Sequence, residues 1–150
     1  MNESTLLKMN QMKFFGMHGA FKTAIETGKT DNFTIDQFIS MLIDAEWDDR
    51  NNRKIERAIK LARFHYKSTI EDIYFESSRG IDRISILRLA ECDFVKKAEN
   101  VLITGSTGVG KSYIATALGY QACIQGYRVG YYNASKLLQN LKWQKQMVHI

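Results

Sequence analysis

A glycine-rich stretch in the second half of the chain carries the residue types needed to bind phosphate. It fits the pattern G-x-x-x-x-G-K-[ST] of a Walker A phosphate-binding loop, and its members are Gly105, Ser106, Thr107, Gly108, Val109, Gly110, Lys111 and Ser112. Glycines reach positive φ and can turn their N–H groups toward an anion, and a following helix N-terminus favours negative charge. We predict that Lys111 contacts the β- and γ-phosphates of a nucleoside triphosphate and that the Ser112 hydroxyl binds Mg²⁺.

The residues on either side of this loop predict the elements that must position it. Val101 to Thr104 is a short β-branched apolar run typical of a buried strand, whereas Ile114, Ala117 and Leu118 repeat at helical spacing. A strand before the loop and a helix after it are what phosphate binding requires. The alternative is a glycine-rich hairpin turn followed by an unrelated helix, which these flanking residues disfavour.

A second group of candidate residues is basic. Thr34 and Gln37 stand in capping-box relation, with Phe33 and Phe38 at hydrophobic-staple positions, so a helix is predicted from Thr34 to about Phe64. Its later part has one acidic neighbour, Glu56, among seven cations: Arg50, Arg53, Lys54, Arg57, Lys60, Arg63 and Lys67. This face could follow a DNA backbone by neutralising phosphates. It could equally be the solvated face of an amphipathic helix.

Composition and charge narrow the protein class. The 150 residues carry a formal net charge of +5 and are 45% hydrophobic, which suits a folded chain with an acidic partner, nucleic acid being the first candidate. Cys92 and Cys123 are too far apart for a metal site, so they are expected to be reduced thiols in a cytoplasmic protein. The longest apolar runs are too short to cross a membrane, and no signal peptide is evident.

The remaining patterns predict further helices and one more strand. Helices are expected over Thr5 to Thr27, over Thr69 to Ile73 after a Ser68/Glu71 capping box, over Ile81 to Cys92, from Ser112 to a Gly126 cap, and from Asn133 or Ser135 to Leu141. A second strand is expected at Tyr127 to Tyr132. Phe94 and Val95, just before the first strand, are weak candidates to contact a nucleotide base and better candidates for core packing.

The break at Ser77 to Gly80 predicts a boundary between two modules. Residues 1–78 would form a basic helical module that binds DNA or a partner, and residues 79–150 would form a partial ATP-binding domain. The order strand, loop, helix, strand, helix in the second module is typical of a doubly wound α/β unit with a parallel sheet.

Several landmarks together resemble a known family, the IstB-type transposition helper ATPases, which are related to the DnaC helicase loaders among AAA+ proteins. The similar segments are Met12 to Met17, Lys60 to Phe64, Thr69 to Asp72, Asn100 to Gly105, Lys111 to Ala115 and Gly126 to Val129. The resemblance implies an ATP- and Mg²⁺-binding, DNA-binding regulator that forms a homo-oligomer on target DNA and recruits a transposase. A helicase loader is a close variant of this function.

The chain departs from the family pattern after its second predicted strand. Family members continue into a third strand with paired acidic residues and then into sensor and arginine-finger elements, whereas no acidic residue follows Ser112 here. The expected fold is therefore an N-terminal helical module followed by the first half of a P-loop AAA+ parallel sheet, truncated, with poor or no ATP hydrolysis. A non-enzymatic DNA- or partner-binding module remains the alternative.

Overall fold

The structure is a computed structural model that describes residues 2–28, 33–75 and 80–139. Its helices are α1 (Asn2–Gln11), α2 (Phe15–Glu26), α3 (Ile35–Ala62), α4 (Arg83–Ala90), α5 (Asp93–Lys96) and α6 (Lys111–Ile124). Residues 134–139 are also helical. Contacts divide the chain into two compact units, Met1–Glu56 and Arg57–Ile150. The functional division predicted at residues 78 and 79 stays a prediction.

The predicted parallel sheet is wrong for the described residues, which contain helices and irregular segments but no strand. Val101 to Thr104 and the segment from Arg128 to Gly130 make none of the backbone hydrogen bonds found in the described part of the chain. A strand exists only when its N–H and C=O groups pair with a neighbouring strand. These segments have β-forming residues, but they have no partner there with which to build a ladder.

In the first unit, the single helix predicted over Thr5 to Thr27 is replaced by two helices, α1 and α2. The chain leaves α1 through Met12 and Lys13, and Lys13 takes the left-handed conformation with φ 61° before α2 begins at Phe15. The α2 backbone then approaches α3 very closely, because a Cβ added at Gly16 would overlap the carbonyl oxygen of Ala45. Only glycine permits this approach.

The start of α3 is as predicted from the sequence. The Thr34 N–H donates to Gln37 Oε1 at 3.1 Å, and the Gln37 N–H donates to Thr34 Oγ1 at 3.3 Å. The Phe33 and Phe38 rings lie with their centroids 6.4 Å apart, completing the staple. The capping box and the staple are thereby confirmed.

The second unit is built around contact between α4 and α6. Asp82 caps α4 by accepting the N–H groups of Ile84 and Ser85, and Gly126 ends α6 with φ 88° as predicted. Apolar side chains from both helices and from the segment before α4 form one core, namely Ile70, Ile73, Ile86, Ala90, Ile114, Ala117 and Leu118. This core fixes the N-terminus of α6, and therefore the end of the phosphate-binding loop.

The predicted helix over Thr69 to Ile73 is wrong, since this segment forms a turn closed by the Ile73 N–H on the Ile70 carbonyl. Its proposed cap, Ser68, is buried and donates instead to the Tyr113 carbonyl at 3.3 Å. This hydrogen bond holds the Ser68 side chain against the backbone of Tyr113, forty-five residues later in the chain.

Two further expectations concern cysteines and membranes. Cys92 and Cys123 are free and buried as predicted, and burial raises the pKa of both thiols.

None of the helices in the described residues has the length and apolar character needed to span a membrane.

Candidate nucleotide-binding site

The glycine-rich loop has a backbone suited to surrounding an anion. Gly105, Gly108 and Gly110 have φ of 149°, 87° and 92°, values that residues with a Cβ rarely adopt. Gly110 is the residue immediately before α6, and its carbonyl accepts the N–H of Ile114 at 3.0 Å. The loop therefore leads directly into the N-terminus of a fourteen-residue helix, where free N–H groups and the helix dipole favour an anion.

Lys111 lies across this loop. Its Nζ donates a hydrogen bond of 2.6 Å to the carbonyl oxygen of Ser106. The ammonium group is thus held against the backbone of the loop. Its present partner is a neutral carbonyl, so a phosphate oxygen, as a charged acceptor, would make a stronger bond.

Ser112 is exposed at the first turn of α6, and its hydroxyl makes no hydrogen bond to another described residue. The backbone carbonyl of Ser112 is engaged by Thr116 Oγ1 at 2.8 Å, which fixes the first turn. The hydroxyl remains available as a single oxygen ligand. No group of three or more His, Cys, Asp or Glu side chains that could hold a metal occurs in the described ranges.

The loop borders a cavity of about 570 Å³. Besides loop residues, Gly80 and Ile81 line this cavity, and both precede α4. The sequence pattern marked this segment only as a break between modules. Gly80 has φ 61°, so the glycine allows the sharp turn that carries the chain past the loop.

A second cavity, of about 340 Å³, shares Ile81 and Ile114 with the first. Its other lining residues are Asp72, Ile73, Tyr74, Gly110 and Tyr113. Desolvation, together with the nearby Asp72 carboxylate, raises the pKa of Tyr113, so its phenol stays neutral. A flat aromatic surface beside a phosphate-sized site is suited to a nucleotide base.

Phe94 and Val95 do not line these two cavities. They line another apolar cavity of about 370 Å³ together with Val101, Leu118 and Val129. The sequence order placed them near the first predicted strand, whereas the residues beside the loop come from the segment before α4. Ile81 lies beside the loop because it packs against the core of the second unit, a tertiary contact that no local sequence pattern encodes.

The seven predicted basic residues do not share one environment. Arg50 Nε binds Glu46 Oε1 at 2.6 Å, and the Arg50 guanidinium lies over the Phe14 ring. Arg53 pairs with Asp49 and lies over the Phe15 ring. These two cations stabilise the first unit and are partly neutralised by the carboxylates of Glu46 and Asp49 on the preceding turn of α3.

The other five cations are exposed and form no ion pair with a described acidic residue, namely Lys54, Arg57, Lys60, Arg63 and Lys67. Four of them belong to the second unit, where the chain around them packs on α6. Tyr66 stacks on Tyr113 with ring centroids 6.1 Å apart, and the Tyr131 N–H donates to the Ala62 carbonyl at 2.9 Å.

Comparison with known proteins identifies a family described as ATP-binding. A family model described as IstB-like ATP binding protein matches residues 7–149. The chain is 34% identical over 137 residues to a Sinorhizobium fredii protein, y4pL, named as an insertion sequence ATP-binding protein. It is also 34% identical to the corresponding protein of insertion sequence IS1162 from Pseudomonas fluorescens, and 33% identical to that of IS21 from Pseudomonas aeruginosa.

These matches cover 91%, 95% and 94% of the chain but only 56%, 62% and 52% of the three relatives. The chain therefore spans about half the length of the curated relatives it matches.

Proposed function

This chain belongs to the family of IstB-like ATP-binding proteins, and we propose that it binds ATP through residues Gly105 to Ser112. The observation that carries the proposal is the loop itself: three glycines at positive φ lead into the N-terminus of α6, with Lys111 held across the loop. This arrangement offers N–H donors, a helix dipole and an ammonium group to the triphosphate.

We place the remainder of the nucleotide, the base and ribose, in the second cavity. The cavity lined by Asp72, Tyr74 and Tyr113 shares the lining residues Ile81 and Ile114 with the loop cavity, and such a neighbouring position suits a base and ribose attached to the bound phosphates. The Ser112 hydroxyl would be the protein's ligand to Mg²⁺, with phosphate oxygens and water supplying the others.

We further propose that the 150-residue chain hydrolyses ATP poorly on its own. Its loop supplies binding groups, but no carboxylate follows Ser112 to position a second metal-bound or attacking water. On this proposal the role of residues 1–150 is nucleotide-dependent binding.

Binding to DNA is the second part of the proposal, favoured by the exposed cations Arg57, Lys60, Arg63 and Lys67 of the second unit. When an unpaired cation of the protein neutralises a DNA phosphate, the counterion bound there is released from the DNA, which favours binding. Arg50 and Arg53 are already paired with carboxylates and are less suited to this role. Because the relatives are named for insertion sequences, transposition is the proposed setting, with a transposase and further copies of this chain as proposed partners.

Equilibrium binding of a fluorescent ATP analogue tests the central proposal. Lys111→Ala should weaken binding at least about tenfold, because a charge-assisted phosphate contact is lost. The matched control is Lys97→Ala, which removes an exposed lysine of the same unit that lines neither cavity. Equal affinity in the wild type and Lys111→Ala would contradict the proposal.

A further inference from the structure

The second cavity, of about 340 Å³, has one charged side chain among the described residues that line it, the carboxylate of Asp72. The other lining residues are three isoleucines, two tyrosines and Gly110. A carboxylate accepts hydrogen bonds and donates none when it is ionised. A ligand in this cavity therefore meets an anionic acceptor on an otherwise apolar and aromatic surface, and an N–H donor is the group that matches it.

The Asp72 carboxylate is held in one orientation by its own turn. The Thr69 hydroxyl donates to Asp72 Oδ2 at 2.7 Å. Asp72 Oδ1 accepts no hydrogen bond from another group in the described ranges, and no described cation forms an ion pair with this carboxylate. Oδ1 is therefore an oriented acceptor that a donor on a ligand can use.

Tyr113 gives the same cavity a fixed aromatic side. Its ring stacks on Tyr66 with 16° between the two planes, and its backbone carbonyl accepts the Ser68 hydroxyl at 3.3 Å. Tyr113 follows Lys111 by two residues in the first turn of α6, so one helix turn carries both the phosphate-binding ammonium and this ring. A base that stacks on an aromatic ring keeps its polar edge free for hydrogen bonds to a neighbouring side chain.

Purine bases differ in the group that they would present to such an acceptor. Adenine carries an amino group on C6, which is a donor, whereas guanine and hypoxanthine carry a carbonyl oxygen there, which a carboxylate repels. Guanine can pair with a carboxylate through its N1–H and its 2-amino group, but that pairing uses both carboxylate oxygens. Since Asp72 Oδ2 is already engaged by Thr69, the remaining oxygen suits the single amino group of adenine.

We propose that Asp72 is a specificity-determining residue of the nucleotide site, and that its Oδ1 accepts a hydrogen bond from the 6-amino group of adenine. This inference rests on the proposed function, because it requires the base to occupy the second cavity while the triphosphate occupies the loop. It adds to that proposal a side chain that selects ATP over nucleotides with a 6-keto purine.

Competition of unlabelled ATP and ITP against a fluorescent ATP analogue tests this inference. ITP is the matched probe because its base differs from adenine only at N1 and C6. The wild type should bind ATP at least about tenfold more tightly than ITP, because a hydrogen bond to a charged group is replaced by repulsion. Asp72→Asn should bring the two affinities to within about threefold, since its amide can donate to the 6-keto oxygen as well as accept from the amino group.

Glu71→Gln is the matched control, because it removes the same charge from an adjacent exposed residue that lines neither cavity. It should keep the preference of the wild type for ATP. A purely structural role of Asp72 would lower the affinity for ATP and ITP by the same factor, so an unchanged preference in Asp72→Asn would overturn the proposal. Equal affinity of the wild type for ATP and ITP, or tighter binding of GTP than of ATP, would also overturn it.

Failure of this inference and failure of the proposed function give different results. If the wild type binds ATP and ITP equally and Lys111→Ala weakens both, the loop binds triphosphate and only the role of Asp72 is wrong. If the wild type binds neither nucleotide, the proposed function fails, and this inference fails with it.

Discussion

The Glu46 carboxylate in α3 accepts a hydrogen bond of 3.0 Å from the backbone N–H of Gly16, thirty residues earlier. The same oxygen accepts the Met17 N–H at 3.2 Å. The residue before α2, Phe14, makes no side-chain cap, so Glu46 supplies from a distance what a local cap would provide. The contact accompanies a close approach of the two backbones, and a Cβ at Gly16 would overlap the Ala45 carbonyl oxygen, so this segment needs glycine at its third position.

A glycine pair in α2 gives a direct test of that packing. Gly16→Ala should destabilise the chain by about 1–3 kcal/mol, because its Cβ would overlap the Ala45 backbone. Gly19→Ala should instead stabilise it by about 0.5–1 kcal/mol, because no atom lies within 4 Å of the new Cβ and alanine favours helix. Chemical denaturation of both variants measures the difference. Equal effects would show that α2 does not dock at Gly16.

Glu46 should also make stability depend on pH. Burial opposes its ionisation, but hydrogen bonds from Arg50 and Met17 outweigh burial and hold the pKa of Glu46 below its ordinary value. Its stabilising contribution is therefore present above the unfolded pKa of about 4.3 and is lost as pH falls through the folded pKa. Urea unfolding of the wild type and Glu46→Gln should differ at neutral pH by about 1–3 kcal/mol, and converge in acid. Glu26→Gln, in an exposed pair with Lys22, is the control and should change little.

The Ser112 hydroxyl should contribute more to Mg²⁺ binding than to the binding of ATP itself. Ser112→Ala removes the proposed oxygen ligand, so it should reduce the gain in ATP affinity that Mg²⁺ gives. Affinity in EDTA should change by less than about threefold, because the loop N–H groups and Lys111 remain. Calorimetry with and without Mg²⁺ separates the two effects. An equal loss in both conditions would assign Ser112 a structural role.

Hydrolysis should be slow although ATP binds. Phosphate release by the purified 150-residue chain should be indistinguishable from that of Lys111→Ala at saturating ATP, because residues 113–150 contain no carboxylate that could position the attacking water. A turnover that the wild type shows and Lys111→Ala abolishes would contradict this expectation. Both samples must be shown to be folded before rates are compared.

DNA binding should depend on the exposed cations rather than on all seven. The combined change Arg57→Glu and Lys60→Glu should weaken DNA binding at least about tenfold, and flatten the slope of log affinity against log salt by about two. Lys8→Glu and Lys22→Glu together make the same charge change on α1 and α2 and serve as the control. If both double variants lose affinity equally, net charge alone explains the binding.

Local signals predicted local structure well. The Thr34–Gln37 box starts α3, Gly126 ends α6, and Asn133 caps the following helix by accepting the Lys136 N–H. Each of these depends on side-chain and backbone groups within a few residues, which a single sequence displays directly. The end of that last helix, predicted at Leu141, lies outside the described residues.

Features that depend on distant partners were not predictable. The segments at Val101 and Val129 have strand-forming residues, but pairing needs a second segment that local sequence cannot specify. Ser68 and Glu71 match a capping box, yet Ser68 bonds Tyr113, forty-five residues later. Likewise, the place of Ile81 beside the phosphate-binding loop follows from core packing, although the loop itself was evident from its spacing.

The packing of the basic segment on α6 has an energetic consequence. Tyr66 stacks on Tyr113, and the ring of Phe64 lies 3.0 Å from where a Cβ at Gly119 would be, so the helix that begins at Lys111 contacts the segment bearing Arg63 and Lys67. A ligand that shifts α6 would act directly on these contacts. By thermodynamic linkage, the factor by which ATP changes the affinity for DNA equals the factor by which DNA changes the affinity for ATP.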